Sequence, residues 1–196
     1  MSIAPWRSAI ARALHRNRSL VYARYLQLAT VKDDGRPANR TVVFRGFLED
    51  TNQLKFITDD RSEKATQILL KPWAEVCWYF PNTREQFRIS GCLTLVRSDY
   101  FDPILQQARM NTWQELSDPA RIQFAWPHPG KPRKIEDQKA FILPQPDPVN
   151  PLPNFCLLLL DPFKVDHLEL RGEPQNRWLY RYDDQKQDWS MQAINP

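Results

Sequence analysis

The sequence is poor in the residues that usually announce chemistry. It holds three cysteines and three histidines in 196 residues, and five glycines against 17 prolines. Cys77, Cys92 and Cys156 are far apart, odd in number and each set in an apolar run, so they read as buried free thiols. None has a histidine at metal-ligand spacing, and His15, His128 and His167 are isolated from one another in the sequence. No metal site is expected, no side chain stands out as a general base, and the catalytic residues stay unassigned. Free thiols point to a reducing, cytoplasmic compartment. No stretch reaches the roughly 18 consecutive apolar residues of a membrane span. The basic N-terminus, with Arg7, Arg12, Arg16 and Arg18, lacks the apolar segment of a secretion signal. An excess of one charge is missing too: a net charge of +4 is too small to argue for nucleic acid, though it suits a small anionic ligand. No internal repeat is present.

Aromatic residues are plentiful: seven Trp, ten Phe and six Tyr. Side chains of that size provide the burial that offsets chain entropy, so a single folded domain over residues 1–196 is expected. Trp6, Ile10 and Leu14 form a helical stripe. Transit peptides share that look, but the reading adopted is a short amphipathic helix, within residues 1–18, docked on the body of the protein. Strands are expected at 25–31, at 40–48 after the Asp34-Gly35 turn, and at 53–58. Ser62 is placed to cap a helix that Pro72 ends. Further strands are expected at 76–80, 86–96 with a bulge at Gly91, 156–160, 164–170 after Pro162, 177–182 and 189–194. Helices are expected at 100–110 and 134–141, the latter inside a proline-rich loop region, 127–153. The fold class is therefore mainly β with a few helices, the strands forming a closed or nearly closed barrel.

Three stretches carry candidate chemistry. In Arg40-Thr41-Val42-Val43-Phe44-Arg45, the two arginines are five apart, so a regular strand would send them to opposite faces. Both can serve one ligand only if the strand is interrupted or the ligand wraps it. Ile57-Thr58, followed by Ser62-Glu63-Lys64 at a helix start, offers amides, a hydroxyl and an ammonium for a phosphate. Arg84-Glu85-Gln86 opens a strand with an amide able to donate and accept, as a flavin pyrimidine edge requires. Each stretch alone is ordinary: a solvated strand, a helix cap, a turn.

In order and spacing, the set resembles the pyridoxamine 5′-phosphate oxidase-like split-barrel flavoproteins, over residues 20–96 and again 155–196. The resemblance implies a homodimeric split β-barrel that binds flavin mononucleotide (FMN) at the subunit interface. It implies FMN contacts from Arg40, Thr41, Val42, Val43, Arg45, Ile57, Thr58, Ser62, Lys64 and Gln86. Arg177 of Arg177-Trp178-Leu179-Tyr180 would reach the flavin from the second subunit. There are departures. Glu63 stands where the family has a basic residue, Arg45 replaces a lysine, and Leu170 replaces a flavin-flanking tryptophan. On the substrate side the family's Arg and His give way to Glu173 and Gln175, and Asp118 aligns with its substrate-phosphate arginine. The segment Trp126-Pro127-His128-Pro129-Gly130 lies where the family supplies further flavin contacts. The resemblance thus implies an FMN-dependent oxidase or reductase of unknown small-molecule substrate. A non-catalytic FMN carrier or sensor is the alternative, and a basic barrel binding nucleic acid is a third, disfavoured reading.

Overall fold

The computed structural model describes residues 3–133 and 135–196. The elements are α1 (Trp6–Arg16), β1 (Tyr25–Val31), β2 (Pro37–Val43), β3 (Leu54–Asp59), α2 (Glu63–Leu70), β4 (Trp73–Phe80), β5 (Glu85–Val96), α3 (Pro103–Gln114), α4 (Asp118–Arg121), β6 (Phe155–Glu169), β7 (Asn176–Asp183) and β8 (Asp188–Ala193). Short 3-10 turns cover Ile122–Phe124 and Ile135–Phe141. The second stands where a helix over 134–141 was expected, and Lys134 lies outside the described residues.

All the strands join one antiparallel sheet in the order β2-β1-β4-β5-β6-β7-β8, with β3 added on β6. The 15-residue β6 makes this possible. Its first part, Phe155–Leu160, pairs with β3, and its second part, Lys164–Glu169, pairs with β7, while β5 runs beside both. The sequence suggested two strands separated at Pro162. They are one strand with a bulge: Ser90 pairs with Lys164 and Gly91 with Pro162, so Phe163 is the extra residue on β6 where the register shifts. A proline without an N–H is tolerated at such a break in the ladder. Gly91 is required there: a Cβ on it would sit 2.3 Å from the carbonyl oxygen of Asp161.

The strand expected over 40–48 stops at Val43. Phe44 turns inward, 3% exposed. The chain then leaves β1 for β3: Arg45 N–H donates to Lys55 O (2.9 Å) and Lys55 N–H to Gly46 O (2.8 Å). Gly46 makes the change of direction with φ at +101°. Helix α1 is the docked amphipathic helix expected. It buries Trp6, Ala9, Ile10 and Ala13, and the Trp6 ring packs edge-on against Trp189 of β8. Burying one such side chain contributes roughly 2–3 kcal/mol. Helix α3 begins at Pro103 rather than Tyr100, because the Asp102 carboxylate caps it, accepting from the amides of Ile104 (2.8 Å) and Leu105 (3.3 Å). A second small core of Trp113, Phe124 and Phe155 ties the end of α3 and the turn after α4 to the start of β6.

Candidate cofactor site

The β3–α2 junction gathers the polar groups anticipated there. Ser62 has extended backbone angles and occupies the helix N-cap position, yet its hydroxyl makes no capping bond. It lies 3.2 Å from the Thr58 hydroxyl and 3.3 Å from Lys64 Nζ instead, and Lys64 Nζ donates to Thr58 Oγ1 at 3.0 Å. The capping role read from the sequence is thus not fulfilled; the Ala65 amide bonds Ser62 O (3.0 Å), and among the described residues no side chain accepts from the Glu63 or Lys64 amide. Such amides at a helix start favour an anion. Thr58 and Ser62 are both buried, 3% and 8% exposed, so this hydroxyl pair fixes the ammonium from below.

Arg40 approaches the same place from β2. Its Nη1 donates to Thr30 Oγ1 (2.6 Å) and Leu28 O (3.2 Å), and its Nη2 to Gln67 Oε1 (3.2 Å). Every one of these acceptors is neutral. Among the described residues, no ion pair involves Arg40, Arg45 or Lys64. Burial lowers the Lys64 pKa, repulsion from Arg40 lowers it further, and Asp59 partly offsets both. Burial also lowers the pKa of Arg40 and of Arg45, and Arg24 adds repulsion at Arg45. Guanidinium groups nonetheless stay charged at any ordinary pH. The site therefore concentrates positive charge that the chain itself does not balance.

Arg40, Thr41, Val42, Val43, Arg45, Ile57, Ser62 and Lys64 line one cleft of about 840 Å³. The strand-parity objection to Arg40 and Arg45 sharing a ligand is removed by the end of β2 at Val43. Thr58 sits behind Lys64. The far wall is a proline-rich strap that includes Phe124, Trp126, His128, Lys131 and Arg133. Of these, the sequence singled out only the region around Trp126 and His128. In the sequence Tyr25 reads only as the start of a strand, and Lys131 and Arg133 only as part of the 126–133 loop, where the resemblance allows flavin contacts from a second subunit. The strap is anchored at Phe124 O, which accepts from Arg61 Nη2 (3.0 Å) and Asn154 Nδ2 (2.9 Å). Asp59 holds both donors. Burial pushes its carboxyl pKa up, but hydrogen bonds from Arg61 and Asn154 outweigh this and leave it lowered. Two buried donors of cleft-lining residues, Arg45 Nε and Trp126 Nε1, have no hydrogen-bond acceptor among the described residues.

Gln86 and Arg177 do not line this cleft within one chain. They lie in one register row across β5, β6 and β7, through Leu168, on the outer face of the sheet. Arg177 is held by Asp166 in a two-pronged contact of 2.9 and 2.7 Å. Thr41 belongs to the neighbouring row with Gln27, Cys77, Arg88 and Asp166 on that face, whereas Arg40 and Val42 lie in the alternate rows with Leu28 and Leu26. The cleft thus meets both faces at β2 and reaches the outer one at Thr41 and Val43. His167, isolated in the sequence, is buried and stacked on Phe87, with Nε2 2.8 Å from Glu85 Oε2 and 3.9 Å from Glu169 Oε1. That cluster lies apart from the cleft.

The family model described as pyridoxamine 5′-phosphate oxidase, FMN-binding domain, matches residues 3–97. A pyridoxine/pyridoxamine 5′-phosphate oxidase 2 of Arabidopsis thaliana is 36% identical, over 99% of this chain and 98% of its own. A pyridoxine/pyridoxamine 5′-phosphate oxidase of Acaryochloris marina is 26% identical over 87% of this chain and 76% of its own. Among solved structures, a pyridoxamine 5′-phosphate oxidase-related, FMN binding protein of Nostoc punctiforme superposes with a TM-score of 0.96 at 72% identity, each chain fully covered. PhzG of Burkholderia lata, solved with tetrahydrophenazine-1-carboxylic acid, shares the fold at 19% identity and a TM-score of 0.78, over 100% of this chain and 98% of its own.

Proposed function

The chain belongs to the pyridoxamine 5′-phosphate oxidase FMN-binding family, and we propose that it is an FMN-dependent oxidoreductase working as a split-barrel homodimer. FMN is the cofactor. The observation that carries the placement of FMN is the cation pair Arg40 and Lys64, held by neutral partners at a helix start whose amides no side chain caps. A phosphate fits this arrangement, since it brings negative charge and acceptors for the Glu63 and Lys64 amides. The unmatched donors Arg45 Nε and Trp126 Nε1 fit a heteroaromatic ring with several acceptor atoms. When bound, the flavin supplies electron-pair transfer between substrate and a second acceptor or donor.

The residues then divide the work. Lys64 and Arg40 neutralise the phosphate, and Ser62 with the α2 amides directs it. Thr41, Val42, Val43 and Ile57 form the wall, and Thr58 keeps the Lys64 ammonium in place. Arg45 stands where it can stabilise negative charge on the ring or on a substrate. Gln86 and Arg177 enter from a second copy of the chain, laid over the outer sheet face onto which the cleft opens. Exposed Tyr25 and Tyr79 on that face supply apolar contact area.

The substrate stays unassigned. Asp118, at the place of the family's substrate-phosphate arginine, is ion-paired with Arg121, and Glu173 and Gln175 replace basic and imidazole groups. One observation favours the carrier reading. Among the described residues lining the cleft, the carboxylate is Asp59, occupied by Arg61 and Asn154, and the imidazole is His128. Proton transfer would then come from His128, from the Tyr25 phenol or a cleft lysine, from the substrate itself or from the second copy. Oxygen consumption with pyridoxamine 5′-phosphate on FMN-loaded protein, beside sedimentation velocity, tests the proposal. Turnover by a dimer is the expected result. A monomer that takes up no FMN contradicts the proposal, and a yellow dimer without turnover on a panel of amines and alcohols supports the carrier.

A further inference from the structure

We propose that Gln67 is a positioning residue for Arg40, and that Glu63 serves this arrangement rather than the phosphate. The inference rests on the FMN reading of the cleft. Gln67 lies on α2, 4% exposed, one turn beyond the residues of the helix start. Its amide is committed at both ends. Nε2 donates to Glu63 Oε1 at 2.8 Å, and Oε1 accepts from Thr30 Oγ1 at 2.6 Å and from Arg40 Nη2 at 3.2 Å. A carboxylate only accepts, so Glu63 fixes which end of the amide faces it. A flipped amide would set oxygen against oxygen at Glu63 and nitrogen against the guanidinium at Arg40. Glu63 thus turns the Gln67 oxygen toward Arg40.

The Thr30 hydroxyl completes the arrangement. It gives its one proton to Gln67 and accepts from Arg40 Nη1 at 2.6 Å. Two faces of the guanidinium are held by neutral acceptors, which orient it without cancelling its charge. A carboxylate in place of the Gln67 amide would bind Arg40 more strongly and compete with the ligand. The Glu63 carboxylate itself stays one hydrogen bond further from Arg40. An acid at a helix start built for a phosphate looks like a mistake until this link is followed. Its charge still supports that of Arg40, while the amide intervenes between them.

The test compares FMN with riboflavin, which lacks the phosphate, by fluorescence titration of the full-length protein. For Gln67→Met we expect FMN affinity to fall about tenfold, the scale of one charge-assisted hydrogen bond, with riboflavin affinity unchanged. In an Arg40→Ala background the same substitution should add nothing. Equal loss for both ligands, no loss for FMN, or simple additivity with Arg40→Ala would overturn the proposal. Should Gln67→Met fail to fold, the exposed position 63 gives a second test. Glu63→Gln and Glu63→Leu remove the same charge but differ in the acceptor offered to Gln67. We expect Glu63→Leu to bind FMN several-fold more weakly than Glu63→Gln, and equal affinities would overturn the proposal. If Arg40→Ala itself leaves FMN binding intact, it is the placement of the phosphate that fails.

Discussion

Two arginine-bearing regions of this protein share a sheet and treat charge in opposite ways. On the outer face, acid and base alternate diagonally across the strands: Glu75 with Arg88 at 2.8 Å, then Asp166 with Arg177 at 2.7 Å. Arg88 and Asp166 also sit directly opposite each other in the ladder. In the cleft, Arg40, Arg45 and Lys64 have hydroxyls, carbonyls and an amide for company. Arg88 and Arg177 of the face each have a carboxylate in direct contact, whereas among the described residues Arg40, Arg45 and Lys64 of the cleft have none. Charge content does not separate the two regions, since both are rich in arginine. Compensation does: positive groups held in place by neutral partners cost desolvation that only an incoming anion repays.

The comparison can be broken most severely at the cleft. Arg40→Ala should weaken FMN binding by on the order of 2 kcal/mol, the scale of a charge-assisted contact, and Lys64→Met by a similar amount. Flavin fluorescence titration checks both, and an unchanged dissociation constant would remove the residue from the site. A smaller effect comes from pH. Because the Lys64 pKa in the free protein is lowered from 10.5, the ammonium is lost earlier than an ordinary lysine's as pH rises, and phosphate binding restores the proton. FMN affinity should therefore decline at alkaline pH before 10.5 is reached, and Lys64→Met should flatten that decline in titrations at a series of pH values. The smallest effect is expected on the outer face. Hydrogen bonding from Arg177 holds the Asp166 carboxyl below its ordinary 3.8. A depressed carboxyl stabilises the fold above its unfolded-state pKa and loses that contribution as pH falls through the folded one. Asp166→Asn should thus cost about 1 kcal/mol at neutral pH, since the pair is partly exposed, and nothing in strong acid. Urea melts at the two pH values measure this. A loss that persists in acid would mean Asp166 matters through packing rather than charge.

Much of this was legible in the residues, and the failures have physical causes. β1 was readable because Tyr25–Val31 is rich in β-forming residues and is followed by a turn pair. The end of β2 was not, since Phe44 leaves the strand for a core that only the assembled sheet creates, and Gly46 redirects the chain toward β3. Pro162 looked like a strand end, but Phe163 beside it is a bulge within the same strand, visible only from the pairing of Ser90 with Lys164 and Gly91 with Pro162. Ser62 was recognisable as an N-cap by position, whereas its hydroxyl bonding to Thr58 and Lys64 depends on where β3 ends. The strap residues Lys131 and Arg133 belong to a proline-rich segment without periodicity, so nothing local placed them over a cleft. Gln67 resembles any polar helix residue until Thr30 and Arg40 arrive from β1 and β2.

The placement of the phosphate is the claim on which the rest depends, and a crystal structure of the protein with FMN tests it most directly. The account predicts phosphate oxygens within hydrogen-bonding distance of Lys64 Nζ, the Arg40 guanidinium and the first amides of α2, with Gln86 and Arg177 of a second copy facing the ring. A phosphate bound away from the start of α2, with Arg40 and Lys64 facing solvent, would contradict it.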